Sequence, residues 1–155
     1  MDKSALLDAF RAHLIAQRDT LERTRQSARA GTRVDGTHRP ANRGERAAVS
    51  SQGYLALGLS QRIQAIASAL SILDRIPAEP RDEVTSGALV VLGDGRRILV
   101  LPGGQGVKLT VDGVEVTVLS PQSPLVKALE DAEPGDVIEV ERGRRWIEVE
   151  LCSIL

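Results

Sequence analysis

The sequence predicts an α+β protein: an N-terminal antiparallel coiled-coil helical hairpin, then a small, mostly antiparallel sheet with one short helix. Three observations point there. Two apolar stripes of heptad spacing run through the first half, separated by a turn-forming segment. Two prolines, Pro77 and Pro80, end the helical patterning. Beyond them the apolar period changes to two, and turn pairs punctuate the runs.

Residues 3 to 30 hold almost no helix breaker, and Leu7, Phe10, Leu14, Gln17, Leu21, Thr24 and Ala28 recur at alternating spacings of three and four. Gln52, Ala56, Leu59, Ile63, Ile66, Leu70 and Leu73 repeat the pattern. Each series lays a narrow stripe along one side of a helix, the geometry of a coiled-coil seam. Between them lies GTRVDGTHRPANRG, where helix should break. Two stripes joined by such a segment bury each other most economically as an antiparallel hairpin. An arm of about 25 residues reaches on the order of 40 Å, so the hairpin is a finger. The prolines of DRIPAEP set the expected boundaries: finger 1–77, linker 78–82, C-terminal domain 83–155.

In that domain SGALVVLGDG, RRILVLPGG, VKLTVDGVEVTVLS, DVIEVERG and RRWIEVELCSIL read as strands. Gly93-Asp94-Gly95, Asp112-Gly113 and Arg142-Gly143 are turn signals, the Asp-Gly pair being the clearest. SPLVKALEDAEPGD interrupts them as one short helix. Ser123 is its expected cap, Pro124 its first residue, and Pro134-Gly135 its close.

Composition narrows the class. Hydrophobic residues at 42% and charged residues at 26% suit a soluble globular chain, while 2% aromatic leaves a core of Leu, Ile, Val and Ala. The net charge of −1 hides two unlike halves: Met1–Pro80 carries 12 Lys and Arg against 8 Asp and Glu, and the remainder 8 against 13. Units with different neighbours are implied. A single cysteine, Cys152, excludes an internal disulfide and fits a reducing cytosol. The N-terminus lacks the apolar stretch of a signal peptide, and no window is expected to approach the roughly 20 apolar residues that span a bilayer. A cytoplasmic monomer without membrane contact is expected. Cys152 is expected to fill the sheet interior as a small apolar group, and Trp146 to pack in or beside the sheet.

Several motifs bring a family into view. SPLVKALEDAEPGDVIEV resembles the C-terminal domain of the GreA/GreB transcript-cleavage factors, with its Ser-Pro pair, short apolar helix and Gly-Asp-x-Val/Ile. VDGVEVTVLSPQ and RRWIEVELCSIL resemble strands of that domain, whose fold is FKBP-like. ANRGERAAVSSQGYLALGLSQRI is similar to the family's finger segment, matching it at Asn42, Gly53-Tyr54 and Arg62. The resemblance spans nearly the whole chain. It implies a bacterial transcription regulator whose finger enters the secondary channel of core RNA polymerase while the C-terminal domain docks on the rim. Ser120, Pro121, Ser123, Pro124 and Leu125, within the Ser120–Leu129 segment, would form that docking surface.

In the family a close Asp and Glu at the fingertip help hold a catalytic Mg²⁺ of the polymerase, a hard cation that takes oxygen ligands. Aligned on Asn42 and Gly53, those positions fall on His38 and Ala41, neither of them a carboxylate. The chain thus reads as a divergent member with an altered fingertip. Asp35 and Glu45 are the nearest substitute acids, and they sit among Arg23, Arg25, Arg29, Arg33, Arg39, Arg43 and Arg46. A cationic tip repels a second Mg²⁺ and suits phosphate, whether an RNA 3′ end, a nucleotide or an alarmone. It would equally suit acidic residues lining the channel. Arg39, Arg43 and Arg46 are the expected contacts.

Other signals stay with ordinary roles. With His13 the only other histidine and no cysteine nearby, His38 belongs to no metal constellation. Pro102-Gly103-Gly104-Gln105-Gly106 lacks the lysine and strand-to-helix setting of a phosphate loop and reads as a hairpin turn. No nucleophile, base and acid stand together for independent catalysis. Prolyl isomerases of FKBP-like fold line their pocket with aromatics, and the C-terminal domain has only Trp146. The expectation is a non-enzymatic regulator that needs no cofactor, the polymerase's own Mg²⁺ mattering only if the tip is active. Two rivals are an active cleavage factor using Asp35 and Glu45, and a stress-linked interaction module that never meets polymerase.

Overall fold

The computed structural model describes residues 1–32 and 43–155. Two long helices come first, α1 (Lys3–Thr32) and α2 (Arg43–Leu73). Asp2 starts α1: its carboxylate accepts from the Ser4 amide at 2.9 Å, satisfying one of the orphan donors of the first turn. α2 ends by tightening, with Arg75 N donating to Ile72 O and Ile76 N to Leu73 O. Those are three-residue closures that Pro77 then prevents from continuing.

Apart from Leu70, the apolar residues of both seams are buried. On α1, Leu7, Phe10, Leu14, Leu21 and Ala28 are inside; on α2, Ala56, Leu59, Ile63, Ile66 and Leu73. Thr24 and Gln52, expected on the seams, are exposed. The Thr24 hydroxyl instead donates to the Thr20 carbonyl of its own helix at 3.1 Å. Near the end of α2, Ala69 is buried in place of the expected Leu70. Arg62 is the only charge from Ala47 to Leu73. Among the described residues, α2 is the one helix long and apolar enough, by length and composition, to cross a membrane.

The chain forms two compact units. One is Ala12–Ser68, the hairpin; the other unites Met1–Arg11 with Ala69–Leu155. The proline-bearing segment from Asp74 to Ala88 carries neither helix nor strand. In the second unit, Lys3 of α1 donates through Nζ to the carbonyls of Glu79, at 2.6 Å, and Leu155, at 3.4 Å. Arg11 pairs with Asp74 there.

The sheet comprises β1 (Leu89–Leu92), β2 (Arg97–Val100), β3 (Gln105–Val111), β4 (Val114–Leu119), β5 (Val137–Arg142) and β6 (Arg145–Ile154). One short helix, α3 (Pro124–Leu129), lies between β4 and β5 in sequence. The spatial order is β3-β4-β2-β1-β6-β5, and every neighbouring pair is antiparallel except β2 with β4. The parallel pair corrects one expectation. Pro102–Gly106 does not turn a hairpin, because β2 and β3 are not neighbours; it carries the chain past β4 to the far edge. Gly104 permits this, since a Cβ there would stand 2.7 Å from the Leu119 backbone carbon. The Asp112-Gly113 turn does close a hairpin, with both residues at positive φ (53° and 75°), the primed geometry that matches strand twist.

The core is aliphatic, as the composition requires. Val90, Leu92, Ile98, Val100, Val140, Val149 and Leu151 from one face pack with Val126 and Leu129 of α3. Full burial of each such side chain contributes about 1.5–3 kcal/mol before chain entropy is charged against it. On the opposite face β1, β2 and β4 bury Leu89, Leu99, Val116 and Val118, so this part of the sheet is covered on both sides. Among the described residues, β5 and β6 are covered on one side only. Cys152, expected as an apolar filler, is therefore exposed, and Trp146, expected in or beside the sheet, stands exposed on its surface. They alternate with the inward-facing Ile147, Val149 and Leu151.

Candidate functional site

The N-terminus of α3 is built from side-chain capping. Ser123 Oγ accepts from Val126 N at 3.3 Å, and Pro124 takes the first helical position, where its missing donor costs nothing. Just upstream, Ser120 Oγ accepts from Gln122 N at 3.2 Å and its carbonyl from Ser123 N at 2.9 Å. The Ser120–Ser123 turn thus fixes where α3 begins.

Beside this end of α3 lies a groove of about 520 Å³. Ile98, Leu119, Leu125, Val140 and Ile147 give it an apolar lining, and Arg96, Lys108, Glu115, Glu141 and Arg142 stand among its polar residues. Lys108 Nζ meets Glu115 at 2.8 Å and Arg96 Nε meets Asp94 at 2.6 Å, both at solvent-exposed positions where such pairs are worth little. Hydrogen bonds from the Arg96 backbone and guanidinium hold the Asp94 carboxyl below its ordinary 3.8. An apolar lining among charged groups is the anatomy of a docking hollow for a partner's side chains. Of the sequence-predicted residues, Ser123, Pro124 and Leu125 line it, whereas Ser120 and Pro121 do not.

The fingertip candidates divide. Arg33, Asp35, His38, Arg39, Ala41 and Asn42 lie outside the described residues. Arg23, Arg29, Arg43, Glu45 and Arg46 are described and exposed. Arg25 is half-buried and bonded to Glu22 at 2.6 Å, which commits it within its own helix. Tyr54 is exposed, as are Gly53 and Arg62. Among the described residues no cluster of three His, Cys, Asp or Glu is placed to hold a metal ion.

No protein-family model and no curated protein matches the chain. Solved structures do align with it. One is described as the transcription factor Gfh1, at 21% identity over 94% of this chain and 93% of that one, with a TM-score of 0.36. The GreA factor homolog 1 (Gfh1) of Thermus thermophilus gives 21% identity, 94% of each chain and 0.36. Gfh1 of Thermus aquaticus gives 20%, 92% of each and 0.38. At those scores the likeness adds nothing to what the chain's own geometry says.

Sequence reasoning missed the strand side of the groove. Val140 and Ile147 were legible as apolar strand positions, but only the pairing of β5 with β6 beside α3 brings them to Leu125. Lys3 was missed as well. It is 7% exposed, and burial, reinforced by Arg81 and opposed by Glu79, holds its ammonium below the ordinary 10.5. A lysine in a helix's first turn carries no sign that its head group will be enclosed.

Proposed function

We propose that this chain is a bacterial transcription regulator that binds RNA polymerase through the secondary channel, without stimulating RNA cleavage and with no catalysis of its own. The observation that carries this reading is the pairing of parts: helices of 30 and 31 residues, then a sheet domain whose Ser123-capped helix borders an apolar groove. A hairpin of that length suits insertion into a narrow channel, and the groove suits docking on its rim. We take residues 1–77 as the finger, 78–82 as the linker and 83–155 as an FKBP-like C-terminal domain, in a cytoplasmic monomer.

The tip motivates the non-cleaving role. His38 and Ala41 stand where the resembled family has its acids, and arginines surround Asp35 and Glu45. Mg²⁺ recruitment needs oxygen donors in a favourable field, and this field is cationic. Arg39, Arg43 and Arg46 instead meet phosphate of nascent RNA or nucleotide, or acidic channel walls. Cleavage of RNA in backtracked polymerase complexes tests this. The expected result is no Mg²⁺-dependent shortening with either the wild type or Asp35→Ala/Glu45→Ala. Shortening by the wild type that the double variant abolishes would establish a cleavage factor instead.

A further inference from the structure

Among the described residues, one face of the sheet through β5 and β6 is exposed. The register sets Val137 opposite Glu150, Glu139 opposite Glu148, and Glu141 opposite Trp146. These six alternate with the buried Val140, Val149 and Leu151, so they share the outer face. All six are exposed, Trp146 at 67% and Val137 at 60%. Arg142 and Arg145, one residue further along their strands, fall on the other face. None of the four glutamates has an ion-pair partner among the described residues. Glu139 directly across from Glu148 is a like-charge pair, which weakens a hairpin.

The backbone adds a second feature. Arg142 and Arg145 flank the two-residue turn Gly143-Arg144, where the flanking pair is the hydrogen-bonded kind. Alternation from there turns the N–H and C=O groups of Val137, Glu139 and Glu141 away from β6. β5 is an edge strand, so among the described residues no further strand pairs with these groups, and Pro124 and Ala128 of α3 border Glu139, Glu141 and Trp146 in a hollow there. Edge glutamates discourage pairing with a neutral or acidic strand. They do the reverse for a basic one.

We infer that this edge and face dock an extended, arginine- or lysine-bearing segment of a partner protein, added as a strand beside β5. Its backbone completes the ladder while its alternate side chains lie over the outer face. A guanidinium there stacks on the Trp146 indole and pairs with Glu141 or Glu148, and an aliphatic neighbour covers Val137. The partner's cations also relieve the repulsion between Glu139 and Glu148. A nucleic acid is disfavoured, because its phosphates would face four unpaired carboxylates.

Trp146 is the chain's single tryptophan, so its fluorescence reports on this face alone. The full chain is titrated, without polymerase, with a short peptide of alternating Arg and Val, with a Glu-Val counterpart, and with single-stranded RNA. The expected result is a saturable fluorescence change with the basic peptide only. Its Kd rises on the order of tenfold in Glu139→Gln/Glu148→Gln. It stays unchanged in Glu130→Gln/Glu133→Gln, which removes charge near α3 instead. No saturable change, equal weakening by both double variants, or a response to RNA in place of the peptide would each overturn the inference. Because no polymerase is present, this outcome is independent of the channel-binding reading.

Discussion

Lys3 Nζ and the carbonyl oxygen of Glu79 stand 2.6 Å apart, tying the first turn of α1 to the segment that leads into the sheet. The bond encloses an ammonium that burial disfavours. Because the folded value lies below 10.5, the folded state binds fewer protons than the unfolded one between the two values. Stability therefore rises with pH across that window. Urea unfolding of the wild type against Lys3→Met should show the difference moving in favour of the wild type as pH approaches 10.5. A difference independent of pH would remove the role given to burial.

Asp94 works in the opposite sense. Its carboxyl is held below 3.8 by hydrogen bonds from the Arg96 backbone and side chain. The stabilisation is present above 3.8 and is lost as pH falls through the lower, folded value. The group is exposed, so the effect is small. Asp94→Asn should be less stable than the wild type at neutral pH and equal to it in strong acid, as read by thermal unfolding.

The cap on α3 offers a local test. Ser123→Ala removes the acceptor for Val126 N and should cost about 1 kcal/mol, while Ser123→Thr should retain most of it. Because Ser123 also borders the groove, loss of partner binding by the alanine but not the threonine variant would link cap and docking.

The two faces of α2 should differ sharply. Leu59 is buried and Leu57, two positions away, is exposed. Leu59→Ala should destabilise by about 2–5 kcal/mol, whereas Leu57→Ala should stay within about 0.5 kcal/mol. Equal effects would mean that the seam is misplaced.

Much of this architecture is legible from residue order alone. Leu14, Leu21, Leu59 and Ile66 mark the seams because a heptad repeat of large aliphatics has few other uses. Asp112-Gly113 marks its hairpin because both positions need positive φ. What the sequence leaves open is set by contacts between distant segments. Alternation separates Trp146 from Ile147 but does not say that one face of β5 and β6 lies bare. The Gly104 approach to Leu119 decides that β3 passes beyond β4, and nothing near Gly104 in the chain names Leu119. At the candidate site the Ser-Pro motif located the α3 end correctly, while Val140 and Ile147 joined it only through the pairing of β5 with β6.

The central claim is occupancy of the polymerase secondary channel. Its most direct test is binding of the full chain to core RNA polymerase, followed by competition with a cleavage factor known to enter that channel. Mutual exclusion is the expected result, with binding weakened by Arg43→Ala/Arg46→Ala at the hairpin and by Leu125→Glu in the groove. Simultaneous binding of both factors, or no association with core polymerase, would contradict it.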